Sequence, residues 1–319
     1  MRALLIVNPH ATSTTQLRRD VIVHALASAV NLEVVQTRYR GDATAHAAAA
    51  RQGGFGLVLT LGGDGTVNEV LNGLLGDPGR AGDGGPAAGP DELPSLAPLP
   101  GGSANVFTRS LGLPADPVDA AGQILQALAE HRHRDIGVGL AAGRRYFAFN
   151  AGMGLDAEVV RAVEGLRARG KPVTPALYAR MAIRQFYRMT DRGRPALTLE
   201  REGHPPAGPF FLGIVSNTAP WTYLGRHPVT ASPQAAFDSG LDVLALRGLG
   251  TVATLRTVRQ LLSAAGPAAR RRGLLAVHDE PSLEFTAARP VAFQLDGEYM
   301  GEYERVRFVS VAKALRVIA

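Results

Sequence analysis

Short apolar runs alternate with helix-spaced stretches through the first part of the chain. Ala3–Val7, Leu32–Thr37, Leu57–Leu61 and Leu96–Leu99 read as strands, the first stopped by Asn8-Pro9 and the third by Gly62-Gly63. Between them, residues 16–29 place Leu17, Val21, His24, Ala25 and Ser28 at helical spacing. Asp42–Gln52 is an Ala-rich helix with Asp42 as its N-cap, and Val67–Leu75 and Val106–Leu111 are helical again. Unbroken apolar runs separated by helices predict parallel pairing in a doubly wound sheet. Residues 76–98, rich in Gly, Pro and Asp, interrupt the pattern as a surface loop.

From about residue 133 the texture changes. Arg134–Leu140, Arg145–Asn150, Ala196–Arg201, Phe210–Ser216, Leu241–Leu246, Ser282–Ala287 and Val291–Leu295 read as strands joined by turns, with helical stretches near 156–190 and 251–265. The expected fold is therefore α/β plus β. It has an N-terminal doubly wound α/β domain over 1–132 and a mainly antiparallel domain with inserted helices over 133–319. The last segment is free to return onto the first domain. No internal repeat is visible.

Composition narrows the classes. At 319 residues, with 46% apolar and 19% charged residues and a mean hydropathy of +0.03, the chain has material for two folded cores. It has no cysteine, which excludes disulfides, thiolate metal sites and thiol nucleophiles. The opening MRALLIVNPH is too short for the apolar core of a signal peptide, and no apolar run is long enough to span a membrane. A cytoplasmic chain is expected. The net charge of +6 favours anionic partners, although an Ala-, Gly-, Arg- and Pro-rich composition of bacterial cast inflates the basic balance.

The chemistry concentrates in turns. Leu61-Gly62-Gly63-Asp64-Gly65-Thr66-Val67-Asn68-Glu69 ends a strand and opens a helix. In an open α/β sheet that is where ligands bind. Its glycines leave backbone N–H groups uncovered for a phosphate, and the helix N-terminus adds partial positive charge. A carboxylate there is tolerated if Asp64 helps hold Mg²⁺ carried by ATP. A second such turn, Pro98-Leu99-Pro100-Gly101-Gly102-Ser103-Ala104-Asn105, follows the fourth strand, with Ser103 and Asn105 as polar contacts. A third, Asn8-Pro9-His10-Ala11-Thr12, ends the first strand on the same edge. No G-x-x-x-x-G-K-[ST] and no G-x-G-x-x-G occurs, which disfavours P-loop NTPases and dinucleotide dehydrogenases. Near the C-terminus, Asp296-Gly297-Glu298 ends another apolar run. It reads either as a plain hairpin turn or as the carrier of a general base, Glu298.

Taken together, VNPHAT, LGGDGTVNEVLNGL, PLPGGSANVFTRSLGLP, FNAGMGLDAEVV, FDSGLDV and LDGE resemble the diacylglycerol kinase catalytic-domain family over nearly the whole chain. The resemblance implies an N-terminal domain like that of NAD kinases and phosphofructokinases, a C-terminal β-sandwich, and ATP bound in the cleft between them. By the same resemblance, Asn8, Pro9, His10, Ala11, Thr12 and Thr37 contact the nucleotide. Gly62, Gly63, Asp64, Gly65, Thr66, Asn68 and Glu69 wrap its phosphates, with Gly102, Ser103, Asn105 and Asp296 as further contacts. Glu298 falls on the proton acceptor and Asp64 on the essential acid. Three positions depart from the family pattern. Ala11 and Thr12 stand where Ser-Gly is common, Val106 stands where an acid is common, and Asp238-Ser239-Gly240 replaces Asp-Asp-Gly. The last loop holds a structural Mg²⁺ in some members; here Asp238 and the carbonyl of Leu241 are its candidates.

The expected activity is ATP- and Mg²⁺-dependent phosphorylation of a lipid hydroxyl, with diacylglycerol as acceptor and phosphatidic acid as product. A small-molecule kinase of the NAD kinase type and an inactive nucleotide sensor are the alternatives. Residues 161–194 hold nine Arg or Lys against Glu164 and Asp191. Arg180, Arg184 and Arg188 form one helical stripe, with Ala179, Ile183, Phe186 and Tyr187 lining much of the other side. Either this is a solvated basic face or it docks on an anionic membrane, which would place the protein at the inner face of the membrane. Nucleic-acid binding is not expected, and a homodimer is compatible with the sequence.

Overall fold

The structure is a computed structural model that describes residues 1–11, 15–78, 86, 88–167, 169, 175–185, 194–263 and 273–319. The chain has a two-part α/β plus β architecture. One unit comprises Met1–Val138, Gly143–Ala148 and Val311–Ala319; the other comprises Gly139–Ala142 and Phe149–Ser310.

The first unit contains β1 (Arg2–Val7), α1 (Gln16–Ala27), β2 (Asn31–Gln36), α2 (Asp42–Gln52), β3 (Leu57–Gly62), α3 (Asp64–Leu75), β4 (Ser95–Pro100), α4 (Val106–Ser110), α5 (Pro117–Ala129), most of β5 (Arg134–Ala141) and β6 (Arg145–Phe147). Its strands run in the order β2-β1-β3-β4, all parallel, with Ile6 opposite Val35 on one side and Thr60 on the other. Val317, near the end of β16 (Glu298–Val317), pairs in parallel with Leu96 and extends this sheet. Ala3, Leu5, Val7, Leu57, Leu59, Leu61, Ala97 and Leu99 share one core with Ile22 and Leu26 of α1 and Ala120 and Ile124 of α5. The alternate residues Leu4, Ile6 and Val58 are also buried, so the sheet is covered on both faces, as unbroken apolar strands require. On the α2–α3 side the helices meet closely: a Cβ on Gly73 would lie 2.4 Å from the carbonyl oxygen of Thr44.

Several local expectations are corrected. The buried stripe of α1 is Ile22 and Leu26, while Leu17 and Val21 are exposed, because the helix is rotated to meet α5. Asp42 does not cap α2. Gly41, at φ 92°, is the N-cap, and Asp42 is the buried first helical residue whose Oδ2 accepts from the N–H and Nε of Arg38. The third helix starts at Asp64 rather than Val67. The run Arg145–Asn150 is two strands, because β6 ends at Phe147 and a new strand starts at Asn150. α5, which carries an Asp116 N-cap and Pro117 at its first turn, adds to the expected elements.

The second unit contains β7 (Asn150–Gly154), α6 (Leu155–Arg167), α7 (Pro175–Arg184), β8 (Leu197–Arg201), β9 (His204–Phe210), β10 (Leu212–Ser216), β11 (Thr222–Leu224), β12 (His227–Val229), β13 (Leu241–Leu246), α8 (Thr251–Leu261), β14 (Leu274–Glu280), β15 (Ser282–Leu295) and the first part of β16. Antiparallel pairing follows the order β14-β13-β10-β7-β15-β16. The two strands expected over 282–295 are one. β15 has a register shift between Thr286 and Val291; its first half pairs with β8 and its second half with β7. Edge-to-face contacts of Phe293 with Tyr303 and Phe308, at 5.1 and 6.1 Å, fill part of this core. In α7, Met181 and Gln185 are buried, whereas Ile183 is 60% exposed beside the exposed Arg180 and Arg184. Ile183, expected on the apolar side, is thus exposed; Arg188, Phe186, Tyr187 and the side chain of Ala179 lie outside the described residues. No helix among the described residues is long and apolar enough to cross a membrane.

Candidate active site

The glycine turns of the first unit sit where β3 and β4 end. They pack backbone against backbone: the N–H of Gly101 donates to the carbonyl of Gly62 at 2.8 Å. A Cβ on Gly101 would lie 2.8 Å from Cα and N of Gly62, and one on Gly102 would lie 2.7 Å from Cα of Gly63. The loop after β1 joins the same edge. The N–H of Asn8 donates to the carbonyl of Leu61 at 2.9 Å, and Asn8 Nδ2 donates to Thr66 Oγ1 at 3.2 Å. Thr37 closes the end of β2 through its N–H to the carbonyl of Val7. Pro9 and His10 are exposed and Ala11 is half-buried; Thr12 lies outside the described residues. No side chain caps α3, so its first-turn N–H groups keep the capacity to receive an anion. Ser103 is exposed on the second turn.

Other motif residues are committed to the scaffold. Asp64 Oδ1 accepts from the N–H of Phe107 at 3.1 Å, which ties the first glycine turn to the start of α4. Enclosure of the carboxyl pushes its pKa above the usual carboxylate range, opposed by backbone N–H donors from Phe107, Val106 and Asn105. Asn105, at φ 50°, closes its own turn: its Oδ1 accepts from the N–H of Gly102 at 2.8 Å and its Nδ2 donates to the carbonyl of Gly102 at 2.7 Å. Asn68 is buried. It donates to the carbonyl of Tyr146 at 3.0 Å and accepts from Nε and Nη2 of Arg145 at 3.0 and 2.6 Å. Glu69 reaches across to the uncapped start of α2, where Oε1 accepts from the N–H of Gly41 at 2.9 Å and Oε2 from that of Ala43 at 3.2 Å. Beside it, Arg40, Gly41, Thr44, Glu69, Asn72, Arg144 and Arg145 line a cleft of about 280 Å³. No local sequence pattern shows these arginines together, because their proximity depends on the β5–β6 turn.

The Asp296 segment belongs to the second unit. Asp296 and Gly297 are a two-residue hairpin loop, both at positive φ (47° and 78°), and Leu295 pairs with Glu298 across it. Asp296 is buried, and its Oδ1 accepts from the N–H groups of Phe149 and Asn150 at 3.0 and 3.1 Å, which fastens the turn to the start of β7. Gln294 fastens it from beneath. Its Oε1 accepts from the N–H of Gly297 at 2.9 Å, and its Nε2 donates to Asn150 Oδ1 at 3.0 Å and Asp156 Oδ2 at 2.8 Å. Burial pushes the Asp156 carboxyl up to about 6, against the lowering effect of the Gln294 hydrogen bond. Glu298 is half-buried at the head of β16. The turn is thus a hairpin by geometry, and the same turn presents the candidate base.

The Asp238 loop, the candidate for a structural cation, is held by hydrogen bonds. Asp238 is exposed, and the hydroxyl of Ser239 donates to the carbonyl oxygens of Ala236 and Gly240 at 3.0 and 3.2 Å. Asp279 Oδ1 accepts from the N–H of Gly240, and His278 Nδ1 lies 2.7 Å from Asp242 Oδ1, so hydrogen bonds tie the loop where the family pattern would place a metal. Among the described residues no group of three or more His, Asp or Glu is arranged to hold a metal ion.

Comparison with known proteins bears on the same two segments. Residues 2–139 match the family described as the diacylglycerol kinase catalytic domain. A diacylglycerol kinase of Staphylococcus aureus is 24% identical over 330 aligned positions that cover 100% of this chain and 92% of the relative. The chain is thus similar to diacylglycerol kinases over its whole length. A solved structure of a diacylglycerol kinase from Bacillus anthracis shares the fold, with a TM-score of 0.72 at 21% identity over 99% of this chain and 96% of that one. An NAD kinase from Archaeoglobus fulgidus, solved in complex with ATP, has a TM-score of 0.51 at 10% identity, covering 100% of this chain and 94% of that one. The family match contains both glycine turns and Asp64. Glu298 lies beyond it, in the part reached by the full-length similarity to the Staphylococcus aureus protein.

Proposed function

We propose that this chain is a lipid kinase that moves the γ-phosphoryl group of ATP onto the free hydroxyl of diacylglycerol, giving phosphatidic acid and ADP. The observation that carries the reading is the close approach of the two glycine turns beside the uncapped start of α3. A surface without Cβ atoms, edged by backbone N–H groups, suits phosphates. The full-length similarity to diacylglycerol kinases supports the choice of acceptor.

Bound ATP with Mg²⁺ supplies the phosphoryl group and neutralises its charge. The chain's own groups do the rest. First-turn N–H groups of α3 and the hydroxyl of Ser103 hold the phosphates. Asp64 keeps the two turns in register through Oδ1, and its carboxyl group would help hold the cation directly or through water. Glu298 accepts the proton of the acceptor hydroxyl as its oxygen bonds to the γ-phosphorus and the bond to the β-phosphate oxygen breaks. Mg²⁺ would arrive with the nucleotide as the counter-ion of its phosphates. Work at the inner face of the membrane follows from a lipid acceptor and belongs to the same proposal.

The test incubates the purified chain with γ-labelled ATP, Mg²⁺ and separate acceptors: diacylglycerol, ceramide, sphingosine and NAD. Label in phosphatidic acid, abolished by chelation of Mg²⁺, is expected. Label in NAD alone would replace this reading with a small-molecule kinase. ATP binding with no labelled product would make the chain a sensor.

A further inference from the structure

Helix α8 is turned inside out. At 100° per residue, Thr254, Thr257, Gln260 and Leu261 fall on one side of Thr251–Leu261. Thr257 is buried, with its hydroxyl donating to the carbonyl of Ala253 at 3.0 Å, and Leu261 packs against the core of Leu212, Ile214 and Leu244. The other side carries Val252, Leu255, Val258 and Leu262, exposed by 62, 63, 45 and 46%. A surface helix normally buries its apolar stripe and solvates its polar one. Here Thr257 and Leu261 face the core, and four aliphatic groups face out. Single exposed aliphatics are ordinary, but four on one stripe of one short helix mark a surface that awaits a partner.

Charge selects the partner. Arg259 lies within the stripe and Arg256 at its border, both exposed. Between Asp242 and Asp279 the sequence has six arginines and no acid. An outward aliphatic face rimmed by Arg256 and Arg259, on a helix that carries no acid, has the chemistry of a helix lying in the plane of an anionic bilayer surface. We propose that α8 docks this protein on anionic lipid, its aliphatic stripe inserted among acyl chains and Arg256 and Arg259 at the headgroup phosphates. The preference for a lipid surface over a protein partner rests in part on the lipid-acceptor reading above. The docking face involves none of the arginines of the α7 stripe.

The test separates docking from catalysis. The full chain, without nucleotide, is sedimented with vesicles of phosphatidylcholine alone and of phosphatidylcholine with phosphatidylglycerol. Wild type is expected to sediment with the anionic vesicles and to be released by high salt. Arg256→Glu with Arg259→Glu should weaken binding by at least about 25-fold, from two cations at roughly a factor of five each. Val252→Gln with Leu255→Gln should weaken it by about tenfold or more, with unchanged circular dichroism. Turnover of a short-chain diacylglycerol below its micellar concentration should be unchanged in both variants. The proposal is overturned if both variants bind as wild type does, or if wild type binds neither vesicle. It is also overturned if wild type is a dimer that the Val252→Gln, Leu255→Gln variant dissociates while vesicle binding persists. If wild type binds anionic vesicles through α8 but never phosphorylates the short-chain acceptor, docking stands and the kinase reading fails.

Discussion

A methyl group at Gly101 has nowhere to go, since its Cβ would press on Cα and N of Gly62 at 2.8 Å and on the Cβ of Ala11 at 3.1 Å. Two of those neighbours are backbone atoms of the other glycine turn, and relief requires the turns to part. Gly101→Ala should therefore lower stability by about 1–3 kcal/mol and weaken ATP binding together, read by thermal unfolding and by calorimetric titration. A loss of stability with intact affinity would separate the turn contact from the nucleotide. Asp156 gives a second prediction with a definite sign. Its folded pKa is raised to about 6, so the native state favours the protonated acid. That contribution is fully present below the unfolded value and is lost as pH rises through about 6. Asp156→Asn keeps an oxygen for Gln294 and removes the charge. The variant should gain stability on wild type as pH rises from about 3 to about 7, by up to about 3 kcal/mol, the equivalent of a shift of roughly two units, read by thermal unfolding across that range. A pH-independent difference would contradict the assignment. The sequence displayed the glycines and acids themselves, because their spacing is local. It did not display the partners of Asn68, whose acceptor Tyr146 is 78 residues away, or the role of Gln294 beneath the hairpin.

Among elements, the central strands were readable since burial on both faces leaves an unbroken apolar run, as in β3 and β4. Helix α1 was readable in extent but not in orientation, because Leu17 and Val21 compete with Ile22 and Leu26 for the buried side and only the packing of α5 decides. The cap of α2 was misread for a related reason. Its missing side-chain cap is supplied by Glu69 from α3, and no local pattern shows that. Glu69→Ala should therefore destabilise the fold by about 1–2 kcal/mol, as expected for loss of a cap, measured by denaturant unfolding. A stability unchanged within error would show that water replaces the carboxylate. The long β16 was not anticipated, since Gly301 and the charges at Glu302, Glu304, Arg305 and Arg307 mask its alternation.

For the whole molecule, the C-terminal residues Val311–Ala319 cluster with the first unit, where Val317 pairs with Leu96 and Ile318 joins the core of β1, β3 and β4. Removal of residues 311–319 should cost ATP binding as well as stability, even though the glycine turns lie far away in sequence; retention of ATP affinity would contradict this. The central claim assigns nucleotide binding to the glycine turns and proton acceptance to Glu298. One measurement tests it most directly: transfer of label from γ-labelled ATP to diacylglycerol by wild type and by Glu298→Gln, with the ATP dissociation constant determined for both. The account predicts a kcat lower by about 10²–10⁴-fold with ATP affinity unchanged, as expected when a general base is lost. A variant that transfers phosphate at the wild-type rate, or that fails only because ATP no longer binds, would contradict it.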